Sequence, residues 1–388
     1  MSADPIIIVG AGIGGLTAAI ALRRRGWAVQ VLERAPAVAA VGAGITIQAN
    51  AHAILRALGV QFSADNTLPL GTMEIRSLGR CLMRMDSDRL PVATPSLNVH
   101  RANLHAALLT TLGPEHVQLG RAVVDVTVDE DGATVELADG ERIRGCAVIG
   151  ADGAGSAVRK SLLGPDACDL RLAHQACWRF ALRAPGRVPP ISVEHWAPGR
   201  RAGVIPLAGD RVYIYLVQST VPGVPGSLPA GKLRDHFGDI DPALDGLLTL
   251  VTDETPVHQG DLGEHKAVCF GRGRVVLLGD AAHAMTPNLG QGAGMSIEDA
   301  AELALLLDPT SPVPTDLAEQ LSALRMARVR DIQSTAWRIG ALAHVDSAWV
   351  RWVRDRLLPL VPQGLSDRQT RALWGPGEAL GARLADLA

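Results

Sequence analysis

The chain has 388 residues, 47% of them hydrophobic, with 37 basic and 40 acidic side chains for a formal charge of −3. That length suffices for a large core shared among two or three domains, and a near-neutral charge without a polybasic run favours neither nucleic acid nor an anionic membrane as partner. The five cysteines, at positions 81, 146, 168, 177 and 269, show no CxxC and no pairing pattern, so reduced thiols in a cytoplasmic protein are expected, with no metal site and no redox dithiol.

Residues 6–9 read as an apolar strand running into Gly10-Ala11-Gly12-Ile13-Gly14-Gly15, and the alanine-rich residues 16–25 continue as a helix. This is a dinucleotide signature with a mechanism. Gly10 permits the tight turn, Gly12 lets backbone approach a pyrophosphate, and Gly15 allows close helix–strand packing, while the helix N-terminus offers N–H groups to the phosphates. A second strand over 28–32 ends at Glu33, 23 residues after Gly10, where a carboxylate accepts ribose hydroxyls. Residues 5–22 carry no charge, but their glycines and short helical part indicate a core strand and helix rather than a membrane span. Asp4 and the lack of a basic leader argue against a signal peptide, and no later segment stays apolar for 18 residues.

Further along, a helix is expected near 51–58, short strands and turns over 72–98, and a helix over 101–112. Strands over 118–128, 132–137 and 146–149 follow, with Asp139-Gly140 as a turn, and the last leads into Gly150-Ala151-Asp152-Gly153. Residues 170–268 are strand-rich (176–183, 191–196, 202–206 and 211–218), then a Pro/Gly-rich loop over 221–231 reaches a helix near 232–237. A strand over 275–278 ends in Gly279-Asp280-Ala281-Ala282-His283, which leads into Gly290-Gln291-Gly292-Ala293-Gly294. Helices over 296–307 and 316–344 precede a tail carrying Trp349, Trp352 and Trp374. The expected class is α/β, or α+β overall. A Rossmann-like domain takes residues 1–71, 98–169 and 269–330, an inserted, mainly antiparallel domain takes 72–97 and 170–268, and a C-terminal helical region takes 331–388.

These three glycine segments, in this order and spacing, resemble the class A aromatic-hydroxylase family of FAD-dependent monooxygenases, the hydroxybenzoate, salicylate and urate hydroxylases. The resemblance implies the hydroxybenzoate-hydroxylase fold, bound FAD, and NADPH or NADH as a transient reductant, since no second GxGxxG follows. It implies that a nicotinamide hydride reduces FAD, that dioxygen adds at the flavin C4a carbon, and that the resulting hydroperoxide hydroxylates or epoxidises a small aromatic or heteroaromatic molecule. Cofactor contacts carried over are Gly10, Gly12, Ile13, Gly14, Gly15, Glu33, Arg34, Gly44 and Ile45 with Gly42 and Asn50, then Arg101, Asp152, Asp280, Pro287, Gly290, Gly292, Ala293 and Gly294. Arg34 either stacks on adenine or is solvated. Arg159 would supply a cation near phosphates, and His283 is read as a packed structural histidine.

For the substrate, Arg201 and Tyr213 resemble an Arg/Tyr pair that purine-oxidising relatives aim at flavin and substrate, and they are the candidate catalytic residues. Tyr213 and Tyr215, the only tyrosines, share one face of a strand by alternation, as substrate contacts or as an aromatic core pair. Pro287 and Trp178 are further candidates; Trp178, Phe180 and Trp196 would form an aromatic slot or pack in the core. Those relatives use an aspartate as base where this chain has Asn288, an amide unable to serve, which argues against a urate-type substrate. Alternatives are another flavin oxidoreductase, such as a reductase, or a silent FAD-binding regulator. A monomer or a homodimer are both compatible, and the C-terminal helices with Trp337, Trp349 and Trp352 would cover the substrate domain or form a dimer contact.

Overall fold

Ile6, Ile7, Ile8 and Val9 are all buried, as a strand covered on both faces must be. They form β1 (Ile6–Val9) of a structure that is a computed structural model and describes residues 4–37, 43–90, 92–129, 131–221 and 227–387. Gly42 and residues 222–226 of the expected loop lie outside the described residues.

The chain continues through α1 (Ile13–Arg24), β2 (Val29–Glu33), β3 (Gly44–Ile47), α2 (Ala49–Ala57), β4 (Thr67–Pro69) and the hairpin β5 (Thr72–Ser77) and β6 (Arg80–Asp86). Next come β7 (Leu97–His100), α3 (Arg101–Leu112), β8 (Val117–Leu119), the meander β9 (Val123–Val128), β10 (Ala133–Leu137) and β11 (Arg142–Gly145), then β12 (Ala147–Gly150) and α4 (Ala157–Leu163). Four long strands follow: β13 (Leu170–Arg183), β14 (Ser192–Ala197), β15 (Arg200–Leu207) and β16 (Arg211–Ser219). After α5 (Leu233–Phe237), α6 (Pro242–Leu248), β17 (His258–His265), β18 (Gly271–Arg272) and β19 (Val275–Leu277), the chain turns helical. Its last elements are α7 (Asp280–His283), α8 (Gly292–Leu306), α9 (Leu317–Ala343), α10 (Ala348–Leu357) and α11 (Gln363–Ala385).

Two sheets dominate this α/β architecture. The first runs β18-β19-β12-β1-β2-β8, parallel except at β18, so the carboxyl ends of β1, β12 and β19 bring the three glycine segments to one edge. The second runs β17-β13-β16-β15-β14-β5-β6, antiparallel except where β14 meets β5. One face of it, with Ala202, Val204, Val212, Ile214 and Leu216, packs on α5 and α6. Its other face carries Arg201, Gly203, Tyr213 and Tyr215 by simple alternation.

Several elements differ from the sequence reading. The strand expected over 118–128 is two strands in different sheets, because Gly120 adopts φ +71° between them. The helix α6 was not expected, although Asp241 caps it, accepting from the N–H groups of Ala243 and Leu244, with Pro242 at its first position. The tail is two helices, and α11 lies tight on α2: a Cβ on Gly377 would come within 2.5 Å of Asn50, and one on Gly381 within 2.9 Å of Ala53.

Gly203 is a second close approach. A Cβ there would lie 2.0 Å from the ring of Tyr215 on the neighbouring strand. Gly203→Ala is therefore expected to cost about 1–3 kcal/mol by overpacking, lowering Tm by about 1–4 °C. An unchanged Tm in differential scanning calorimetry would mean that the ring swings away freely.

Candidate active site

The first glycine segment touches both others. A Cβ on Gly10, at φ +102°, would fall 2.6 Å from the Ala151 carbonyl oxygen, and one on Gly14 would fall 3.2 Å from Ser296 Cβ. Gly15 sits against the end of β1, where a Cβ would meet the Gly10 carbonyl at 2.0 Å. Gly12 differs, with nothing within 4 Å of its Cβ position. It opens α1, whose N-terminus has no side-chain cap, so free N–H groups face open space as an anion site requires. Ile13 is buried just behind.

Glu33 secures this loop: its two oxygens accept from the Ala11 N–H at 2.8 Å and the Ala35 N–H at 2.9 Å, leaving lone pairs for hydroxyl donors. His105 of α3, which the sequence reading passed over, meets the Ala11 carbonyl at 2.8 Å. Arg34 and Arg101 are exposed at the same edge, and the Arg101 N–H donates to the Ala43 carbonyl at 3.0 Å.

In the second segment Asp152 caps α4 through one oxygen, accepting from Ala157 N–H at 2.7 Å and Val158 N–H at 3.3 Å. Its other oxygen is buried without a partner, and burial raises its pKa. Arg159 corrects the expectation of a phosphate cation. Its guanidinium is buried and donates to four backbone carbonyls, those of Ala167, Ala281, Ala282 and Ala267, and so locks the second segment to the third.

In the third segment Asp280 is exposed and its carboxylate makes no hydrogen bond among the described residues. A Cβ on Gly292 would be 4.0 Å from it. His283 is wholly buried and meets Asp299 at 2.6 Å, a structural position. Pro287 and Gly290 form the turn ahead of α8, whose N-terminus also lacks a side-chain cap. A narrow cleft opens between this turn and β3, lined by Ile45, Thr46, Gln48, Gly290, Ala293 and Gly294 among others.

The antiparallel sheet closes over the cleft. A Cβ on Gly44 would come within 2.4 Å of Tyr213, so the Tyr213 side chain lies directly on β3. Its hydroxyl makes no hydrogen bond among the described residues, and burial pushes its pKa up. Tyr215 donates to Glu194, and burial together with that carboxylate raises its pKa further. Neither phenol ionises near neutral pH, so both are donors rather than bases. Glu194 also accepts from Trp196 Nε1 at 2.7 Å and from Arg201 at 3.5 Å. Arg201, 2% exposed, donates to Asn288 Oδ1, and Asn288 Nδ2 donates to the Ala336 carbonyl of α9 at 2.8 Å. Glu194 was missed from the sequence because nothing local marks a strand glutamate as the partner of a tyrosine on another strand.

Trp178 is a correction. It lies on the opposite face of the sheet, edge-on to Phe237 at 5.8 Å and beside Phe180, in the core under α5 and α6. One residue of parity separates it from the Tyr213 face, so it touches no substrate there. Trp196 faces the other way, against Leu82 and Ala343, and no aromatic slot exists among these three.

The residues present fit FAD: a free helix N-terminus beside an open Gly12, an acceptor at Glu33, an unpaired Asp280 carboxylate and a flat cleft at the start of α8. A family model described as an FAD binding domain matches residues 4–310. The chain belongs to the FAD-dependent monooxygenases. It is 34% identical to the aurachin C monooxygenase/isomerase of Stigmatella aurantiaca, over 94% of this chain and 96% of that protein. It is equally 34% identical to the 2-heptyl-3-hydroxy-4(1H)-quinolone synthase of Pseudomonas aeruginosa, covering 96% and 98%. A structure of Klebsiella pneumoniae HpxO with FAD and uric acid superposes with a TM-score of 0.85 at 25% identity, covering 98% of this chain and 97% of that one. The cofactor of this monooxygenase is FAD.

Two outcomes follow from this geometry. Asp280→Ala is expected to fold with the wild-type circular dichroism but to purify without yellow flavin, and full flavin occupancy in the variant would remove Asp280 from the cofactor site. His344, buried beside Arg201 with Nδ1 at 3.2 Å from Ser219 Oγ, has its pKa pushed down from 6.5 to about 3, first by burial and then by the Arg201 charge. Below pH 6.5 the unfolded chain protonates this imidazole while the native one does not, so its contribution to stability is complete above pH 6.5 and drains away toward pH 3. In urea titrations across that window, His344→Asn should flatten the acid slope by up to about 1.4 kcal/mol per pH unit. An identical slope would mean that His344 protonates in the native state as readily as in the unfolded one.

Proposed function

We propose that this monooxygenase inserts one oxygen atom of dioxygen into a ring C–H bond of an electron-rich nitrogen heteroaromatic carrying an exocyclic oxygen, of the 4-quinolone type, with NADH or NADPH as reductant and the second oxygen atom leaving as water. The observation that carries the reading is the polar row of Tyr213, Arg201 and Asn288 between the antiparallel sheet and the turn ahead of α8. Among the described residues this row holds no free carboxylate: Glu194 is engaged by Tyr215, Trp196 and Arg201. A substrate must therefore be activated by charge rather than by a carboxylate base. The Pseudomonas aeruginosa relative is named for a ring of this kind.

When bound, FAD supplies the redox chemistry, accepting a hydride from the nicotinamide and activating dioxygen. Gly12, Glu33, Arg101, Asp280, Gly292 and Gly294 would hold it, with Ile45 and Gly44 beside the ring system. The chain's own residues do the rest. The Arg201 charge favours the anionic form of a ring oxygen and so moves electron density onto the adjacent ring carbon. Tyr213, protonated and unpaired, donates to the substrate and fixes its orientation. Ile45 in the cleft and Ile205, paired with Tyr213 on the neighbouring strand, supply apolar contact and help keep water from the reacting face.

The test is nucleotide oxidation by the FAD-loaded protein with 2-alkyl-4-quinolones, hydroxybenzoates and hydroxypyridines in turn. A quinolone should accelerate it at least about tenfold and yield a product carrying one labelled atom from ¹⁸O₂. Acceleration by hydroxybenzoates alone would sink the substrate class, and oxidation without oxygen transfer to any ring would sink the reaction. With the responding substrate, Arg201→Gln should lower kcat/KM about 100-fold and Tyr213→Phe about tenfold, both with FAD retained.

A further inference from the structure

The helix α10 is built inside out. Its half-buried and buried positions are Arg351, Val353, Arg354 and Asp355, three of the four charged, whereas Trp349 is 71% exposed, Trp352 55% and Leu357 58%. The polar side is fully engaged with the protein: Arg354 binds Asp355 at 2.8 Å and the Leu342 carbonyl at 3.0 Å, and Ser77 Oγ donates to Asp355 at 2.6 Å. The helix is therefore fixed in this orientation rather than free to roll its apolar side inward. The turn after it adds Leu360, 72% exposed.

A second element brings its own apolar tip to the same place. Ser77, which holds Asp355, begins the two-residue turn Leu78-Gly79 of the β5–β6 hairpin. Leu78 has φ +47° and is 80% exposed, at a turn position where asparagine, aspartate or glycine is favoured. A branched apolar side chain held in a strained conformation in solvent serves no purpose within this fold.

Two exposed cations flank the apolar tips. Arg80, the residue after the turn, and Arg356, stacked 4.5 Å from the Trp352 ring, are exposed. Two nearby acids are engaged, Asp355 by Arg354 and Glu74 by Arg76 and Arg84, while Asp346 is exposed with its carboxylate turned toward Gly199. Tryptophans and leucines flanked by arginines, on a helix lying along the surface, suit the interface of an anionic bilayer. A second copy of this chain would bring the same cations face to face. No described helix is long and apolar enough to cross a membrane, so contact with the bilayer is peripheral.

We propose that α10 and the β5–β6 turn form a docking surface for anionic phospholipid bilayers, with Leu78, Trp349, Trp352, Leu357 and Leu360 entering the interface and Arg80 and Arg356 facing lipid phosphates. The cations are far apart in sequence, so no basic run announces them.

The test is flotation of the FAD-loaded protein with phosphatidylcholine vesicles, with and without phosphatidylglycerol, alongside sedimentation velocity without lipid. Binding to the phosphatidylglycerol vesicles should fall at least about tenfold in the double variant Trp349→Ser, Trp352→Ser and weaken with salt in the wild type. Flavin content and NADPH oxidation in solution should stay at wild-type levels in the variant, which separates docking from catalysis and from folding. Absence of wild-type binding overturns the proposal, as does equal binding to vesicles without phosphatidylglycerol. A dimer that the double variant dissociates, with no vesicle binding, overturns it in favour of a second copy of the chain.

Discussion

The site depends on one buried carboxylate, that of Asp299 on α8. It accepts from the Gly279 N–H at 3.1 Å, from His283 at 2.6 Å and from Arg325 of α9 at 2.8 Å, all out of reach of solvent. Burial alone would raise its pKa, but His283 and Arg325 together outweigh that and bring it down to about 2, so the group stays ionised. Its neighbour Glu298 takes Arg325 and Arg328 on one side and Asn50 of α2 on the other. From Asn50 the chain of hydrogen bonds passes to Gln291, in the turn that opens α8. Seven polar side chains, Asp299, His283, Arg325, Glu298, Arg328, Asn50 and Gln291, thus set the turn Gly279–Asp280 and the turn that opens α8 against one another. A buried ionic cluster of this kind adds little net stability, but removing one partner leaves another charge unpaired, at about 3–5 kcal/mol. Its role is to fix geometry where glycine-rich backbone has no side chains to fix its own.

The second constraint is parity. Every residue of the antiparallel sheet belongs to one of two alternating sets, and the two sets meet different partners. One packs on α5 and α6 and is mainly apolar, with His195 and Arg200 reaching Asp241 and Asp239; the other faces β3 and the turn before α8 and holds Arg201, Tyr213, Tyr215 and Glu194. Glycine appears in the polar set where aromatic rings must lie flat, at Gly203 under Tyr215 and, across the gap, at Gly44 under Tyr213. The two glycines differ in purpose: the first admits a ring between strands of one sheet, and the second lets that sheet approach the cofactor domain.

What could be read in the sequence followed from how local the chemistry is. The glycine turns, the acid at the end of β2 and the bounds of α3 are written within a few residues of where they act. Strand alternation was equally legible for Tyr213 and Tyr215. The same rule, applied to Trp178 from the neighbouring strand, would have placed it opposite had the pairing Trp178 with Leu216 been known, and register between distant strands is not a local property. Arg159 was misread for a related reason. A cation next to a glycine loop in sequence invites a phosphate, yet the carbonyls that claim it come from residues 267, 281 and 282 as well as 167. Glu194 and His344 gained their significance only when Arg201 arrived beside them.

The inverted helix α10 is the strongest case of tertiary structure overriding pattern. By periodicity its apolar residues should face the core, but the ground beneath is polar: Ser77 and the carbonyls ending α9 offer partners that Arg354 and Asp355 satisfy and that tryptophan could not. The Arg354 guanidinium also lies 4.9 Å from the Trp196 ring, whose Nε1 donates to Glu194, the carboxylate shared by Tyr215 and Arg201. Three contacts therefore separate the exposed apolar surface from Arg201 and Tyr215. Contiguity of this kind carries no coupling energy by itself; what it fixes is proximity, so that a bilayer held at α10 would lie close to the face of the antiparallel sheet that carries Arg201 and Tyr215.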